Sequence, residues 1–324
     1  VEAAQAAGLV VWIYDEDGYP SGAAGGLVLK ENPAYDSQVL VYDASQPEPF
    51  AVRAAYEHTH ASNNFYAARR CPNLIDRAAM RCFIEKTHQA YREKLGPEFG
   101  AVRAFFTDEP SLMAVNLGPL PEHIRKNVKV VDPVDETVKP LPMVPWCGDL
   151  AQEYQRRYGE DLLAVRGSLF AGQEEKDRRV RRQYWGLIAD LIAERYFGQI
   201  QEWCRGQRVA SSGHCLCEET PIRHVGLYGN ELKALGRLDI PGLDVLSSEP
   251  SEVLGSMWLT ASLPASAALF NGGRKVMTEV SDFSQRMGSN QTASLEKMQA
   301  TAAWQAAFGV TEFTSYYLTS AMDQ

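Results

Sequence analysis

The sequence has no long apolar run. Its longest charge-free stretch, Leu254 to Phe270, is broken by serines, Thr260 and Pro264, so a membrane span is not expected. It also has no Lys/Arg cluster on the scale that tracks phosphates. The chain carries 32 Lys and Arg against 41 Asp and Glu, a net charge of -9, which argues against nucleic acid as a partner. No basic segment precedes an apolar run near Val1, so no signal peptide is read. The chain opens inside an amphipathic pattern, VEAAQAAGL, and is expected to be part of a longer protein. Cysteine is sparse, at six in 324 residues. Only Cys215 and Cys217 are close, as C-x-C, whereas structural zinc usually takes two C-x2-4-C pairs. Scattered thiols in a large core read as reduced and buried, which points to the cytoplasm.

What is present is ordinary globular material, 45% hydrophobic and 10% aromatic, in a length that suits one large α/β barrel. Six segments share one design: a short apolar run followed by polar residues. They are Leu9–Tyr14, Ala101–Phe106, Val209–Gly213, Gly242–Leu246, Lys275–Thr278 and Val310–Phe313. Such runs suit strands buried on both faces of a parallel sheet. Between them lie helical patterns over Leu74–Leu95, Arg179–Arg205 and Ser294–Phe308, two of them closed by Gly96-Pro97 and Gly309. Strand–helix alternation predicts a (β/α)8 TIM-type barrel occupying residues 1–324 as one catalytic domain. A weak seventh strand is expected at Asn64–Ala68, and the first strand of the ring is expected before Val1. Residues 27–60 read as a small β excursion, and Asn116–Trp146 as a long loop of the kind that covers active sites.

Acidic residues follow the apolar runs directly: Asp15 and Glu16, Asp108 and Glu109, Glu218 and Glu219, Asp244, and Glu279. In a (β/α)8 barrel those places all face one mouth. Each alone reads equally well as a helix cap or a solvated acid; five at one physical position point to a pocket. Two opposed carboxylates are the minimum for glycoside hydrolysis. Glu109, fixed by Pro110, is the expected general acid, and Glu279, isolated on an apolar strand, the expected nucleophile or base. Asp15, Glu16, Asp108, His214, Glu218 and Asp244 are expected to bind sugar hydroxyls or orient that pair. Trp146 and Tyr316 are candidates to stack on sugar rings, with Trp12, Tyr14, Tyr19, Trp258 and Tyr317 as further ones, although each also suits core packing. The segment Tyr19–Gly26 is Gly-rich but lacks G-K-[ST], so it reads as a tight loop that brings backbone close to a ligand or another loop.

The run Trp12-Ile13-Tyr14-Asp15-Glu16-Asp17-Gly18-Tyr19-Pro20-Ser21-Gly22-Ala23-Ala24-Gly25 resembles a motif, W-x-Y-D-E-x-x-[WY]-P-S-G-x-A-G, of large bacterial proteins identified as glycosyl hydrolases. The resemblance continues through Phe106–Pro110, Ser212-Gly213-His214 with Glu218-Glu219, Ile240–Asp244, and Thr278-Glu279. This group is similar to the family 106 α-L-rhamnosidases and, more distantly, to the clan A glycoside hydrolases. The resemblance implies an O-glycosyl hydrolase of bacterial carbohydrate metabolism, with an oligosaccharide or glycoside substrate and β-sandwich domains elsewhere in the full-length chain. Clan A puts its acid/base after strand four and its nucleophile after strand seven, which Glu109 and Glu279 match if a strand lies upstream. Family 106 brings calcium and inversion, clan A retention; the residues by themselves call for no cofactor. Two other classes stay open: a non-catalytic carbohydrate-binding barrel, and a metal-dependent hydrolase of the amidohydrolase type. The latter needs an H-x-H pair after its first strand, and His58-Thr59-His60 is the only such pair.

Overall fold

The computed structural model describes residues 1–17, 20–55, 71–112, 141–245, 255, 258–273, 275–280 and 295–315. Nine strands fall within them. They are β1 Val11–Tyr14, β2 Gln38–Tyr42, β3 Phe50–Ala54, β4 Val102–Asp108, β5 Met143–Trp146, β6 Ala210–His214, β7 Ile240–Val245, β8 Met277–Val280 and β9 Glu312–Ser315. Six of them form one sheet in the order β1-β4-β6-β7-β8-β9. Every pair in it is parallel. The sheet is curled into a half-barrel of the TIM-like kind. Parallel neighbours need crossovers, and helices supply them. Residues 77–95 lead into β4, 175–207 into β6, Trp258–Phe270 into β8 and Leu295–Ala307 into β9.

The six apolar runs therefore become the six parallel strands. One expectation changes. β1 pairs directly with β4, with Tyr14 beside Phe106, so no strand stands between them. The seventh strand expected at residues 64–68 lies outside the described residues. Glu109 and Glu279 thus follow or sit on the second and fifth strands of the half-barrel, three steps apart.

The excursion at 27–60 is partly helical, with Leu27–Glu31 forming a short helix. Its strands β2 and β3 pair antiparallel, and β5 joins on the other side of β2. The end of the expected long loop is thus a strand. Pro145 is tolerated there because β5 lies at the edge of its sheet.

One large core joins the half-barrel's outer face to the helices, around Tyr154, Tyr184, Tyr196, Phe83 and Phe197. A smaller cluster, Phe106, Ile240 and Met277 with Trp12 and Ala210 against it, joins β1, β4, β6, β7 and β8. Two helices carry a π turn, Glu85–Gln89 and Ala193–Gly198. Such turns recur near functional sites. Here one places buried His88 next to Phe105, and the other lets Tyr196 share a 2.6 Å hydrogen bond with Thr107 of β4. No helix of the described residues is long and apolar enough to cross a membrane. None of the six cysteines forms a disulfide among the described residues.

Candidate active site

Four acidic or basic side chains meet at the C-terminal ends of β4, β6, β7 and β8. Register brings them there: Asp108 stands beside His214, and Asp244 beside Glu279. The first pairing depends on Gly213, whose φ is +146°. A Cβ at that position would lie 2.1 Å from the Thr107 carbonyl oxygen. Only glycine lets β6 approach β4 this closely.

His214 is the centre of the cluster. Its Nε2 lies 3.2 Å from Asp108 Oδ1 and 3.1 Å from Glu279 Oε2. Its Nδ1 faces the Cys215 carbonyl oxygen at 3.3 Å and Glu218 Oε1 at 3.7 Å. Burial alone would lower the imidazole pKa, but the bonds to Asp108 and Glu279 raise it well above its ordinary value. Tyr14 donates to the other Asp108 oxygen, Oδ2, at 2.8 Å. Burial, and then the Asp108 charge, push the Tyr14 hydroxyl far up.

Glu218 is buried behind the histidine. Its Oε1 accepts from the backbone N–H of Cys215 at 3.2 Å and of Asp244 at 3.3 Å. It thereby ties the loop after β6 to β7, and burial raises it well above the carboxylate range. Asp244 is raised to about 8, first by burial and then, against the pull of His214, by the charges of Glu279, Glu109 and Asp108. Glu109 itself has a left-handed backbone, φ +47°. A non-glycine residue rarely holds that conformation outside a functional site or a tight turn.

Other sequence candidates go elsewhere. Glu16 turns into its own loop and accepts from the N–H groups of Gly22, Ala23, Ala24 and Gly25 at 2.5–3.1 Å. The Gly-rich segment is therefore an anion cradle filled by the chain's own carboxylate. Asp15 is buried behind β1, with Ser21 donating to its Oδ1 at 2.6 Å. Its Oδ2 is 3.9 Å from His88 Nε2. Burial raises Asp15 well above the ordinary carboxylate value and lowers His88 to about 3. Trp146 is buried in the main core, and its carbonyl accepts from Asn73 at 2.8 Å. Tyr316, Tyr317, Tyr19 and the His58-Thr59-His60 pair lie outside the described residues. Ser21 has no sequence signal of its own, yet its N–H donates to the Asp108 carbonyl and its Oγ accepts from the Asp108 N–H. It locks the first loop to the end of β4.

Asp108, His214 and Glu279 each offer a ligand atom, all within 4.8 Å of one another. The set does not suit calcium, which takes roughly six to eight oxygen donors. Its central atom is an imidazole nitrogen at hydrogen-bond distance from both carboxylates.

No family model and no curated protein matches the chain. Solved structures do. The chain is similar to a rhamnosidase from Novosphingobium sp. PP1Y, at 16% identity and a TM-score of 0.52, over 86% of this chain and 22% of that one. A β-galactosidase from the Antarctic haloarchaeon Halorubrum lacusprofundi matches at 13% identity and a TM-score of 0.48, over 97% of this chain and 44% of that one. The catalytic domain of a β-amylase from Paenibacillus polymyxa matches at 10% and 0.44, over 97% and 77%. All three are glycoside hydrolases. At this identity the likeness to the rhamnosidase shows a shared fold, and the chain spans about a fifth of that protein's length.

Proposed function

We propose that the chain carries the catalytic centre of a glycoside hydrolase that cleaves an O-glycosidic bond with two carboxylates. The observation that carries this reading is the gathering of Asp108, Asp244 and Glu279 with His214 at the ends of neighbouring strands of the half-barrel. Glycoside hydrolysis needs a carboxyl that is protonated and one that is ionised on opposite sides of the bond. The site has the means to separate the two states. Glu279, beside the imidazole, is the nucleophile or base, and Glu109 is the general acid. Asp244, held above the usual carboxylate range first by burial, is the second candidate for the acid. Asp108, pinned by Tyr14 and His214, is left to orient the pair and the sugar.

The fold supports this assignment. In the six-strand order, Glu109 and Glu279 stand three strands apart, the interval that clan A barrels keep between strands four and seven. On this reading the six strands belong to an eight-stranded ring. The rhamnosidase likeness favours an α-L-rhamnoside-type substrate over other glycosides. A purely carbohydrate-binding barrel would need neither the strained Glu109 nor the raised Asp244.

The test is a screen of aryl glycosides with the full-length protein, including α-L-rhamnoside, β-D-galactoside and β-D-glucuronide, with Glu279→Gln alongside. Turnover of one glycoside that is lost in the variant is the expected result. No turnover of any glycoside, or equal turnover by the variant, would overturn the reading.

A further inference from the structure

His214 has acceptors on both sides. Nε2 faces two carboxylate oxygens, of Asp108 on β4 and Glu279 on β8. Nδ1 faces the Cys215 carbonyl oxygen and, slightly farther, the Glu218 carboxylate. A backbone carbonyl and an ionised carboxylate can only accept. A neutral imidazole would present a lone pair to one of these sides, whichever tautomer it took. With both carboxylates ionised, the arrangement is satisfied on both sides only when both ring nitrogens carry a proton.

We propose that His214 is a resident cation of the site, an imidazolium whose Nε2–H is shared between Asp108 and Glu279 and which holds the Glu279 carboxylate aimed for reaction. This rests on the glycosidase reading and adds a positioning residue to it.

The surroundings fit a fixed charge. The ring is 1% exposed, so water screens it little and its attraction to carboxylates is strong. Phe106 packs against it at 5.5 Å between ring centroids. The groups that face it are Asp108, Glu279, Glu218 and Asp244, all acidic. Asp108 cannot swing away, because Tyr14 holds its second oxygen. With its proton shared, Nε2 has no lone pair to give a metal. The expected division of labour follows: the carboxyl next to the imidazolium reacts as an anion, and proton delivery falls to a carboxyl away from it.

The experiment uses the full-length protein with whichever aryl glycoside it turns over, and the variants His214→Ala and His214→Gln. Removing a preorganised charge of this kind costs about 10²–10³-fold in kcat, with KM changing far less. Added imidazole should restore part of the His214→Ala rate at about pH 6, where it is a cation, and little at about pH 9, where it is neutral. The acid limb of kcat/KM should move to higher pH in His214→Gln. If His214→Ala does not fold, imidazole 15N shifts of the parent at pH 8 give the answer directly, with both nitrogens protonated as the expected result. The proposal is overturned if His214→Gln keeps kcat within about threefold, if rescue is equal at both pH values, or if the ring is neutral at pH 8. Stoichiometric zinc bound by the parent and lost in His214→Ala would also overturn it. An inactive Glu279→Gln beside an unimpaired His214→Gln would strike this proposal alone, whereas an active Glu279→Gln would strike the glycosidase reading as well.

Discussion

Gly213 packs against Thr107 so closely that a Cβ would lie 2.1 Å from the Thr107 carbonyl oxygen. The clash is with backbone of the neighbouring strand, which cannot move without pulling β4 from β6. Gly213→Ala should therefore cost roughly 3 kcal/mol or more, through both the contact and the left-handed φ. It should also separate His214 from Asp108. Chemical denaturation of the variant checks this, and a loss below about 0.5 kcal/mol would contradict the close approach.

Glu16 is predicted to be structural. Each hydrogen bond to a charged group contributes roughly 1.5–3 kcal/mol net, and Glu16 accepts five, from the N–H groups of Asp17 and of Gly22 to Gly25. Glu16→Ala should lose at least about 3 kcal/mol and leave the 22–25 turn open to proteolysis. Glu16→Gln should lose nearly as much, because its amide N–H groups replace an oxygen at which two or three backbone donors already point. A variant of full stability with only a raised KM would return Glu16 to the sugar-binding residues.

Asp244 makes stability depend on pH. Its folded pKa, about 8, lies above the ordinary value of 3.8. Between those two values the folded protein binds more protons at this group than the unfolded chain does. This contribution to stability therefore falls as pH rises from about 4 to about 8 and then levels off. Asp244→Asn removes that dependence. It should raise Tm relative to the parent more at pH 8 than at pH 4, by roughly 2–4 °C for each kcal/mol relieved. Equal Tm differences at the two pH values would show that Asp244 does not carry the shift.

The parallel strands were legible because strands buried on both faces need unbroken apolar runs. Val102–Asp108 and Ala210–His214 start within one residue of the runs that announce them. Met143–Trp146 was not, since Pro145 reads as a loop unless the strand is known to be an edge. The helix Trp258–Phe270 was also hidden, by Pro264 in its middle. In the site, the strand-end acids were readable but their directions were not. Asp15 and Glu16 are adjacent, yet one serves β1's back face and the other its own turn. Glu218 and Glu219 are adjacent too, and only Glu218 is buried. Which acid faces the mouth depends on register with a neighbouring strand, and register is a tertiary property.

The most direct test of the two-carboxylate account is the dependence of kcat/KM on the leaving group. The measurement compares the parent, Glu109→Gln and Asp244→Asn over aryl glycosides from dinitrophenyl to unactivated phenols. A general acid matters only when the leaving oxygen needs a proton. Glu109→Gln should fall about 10²–10⁴-fold on poor leaving groups and return close to the parent on dinitrophenyl glycosides. Asp244→Asn should run parallel to the parent. A Glu109→Gln line parallel to the parent, with the steep dependence in Asp244→Asn instead, would contradict the assignment of Glu109.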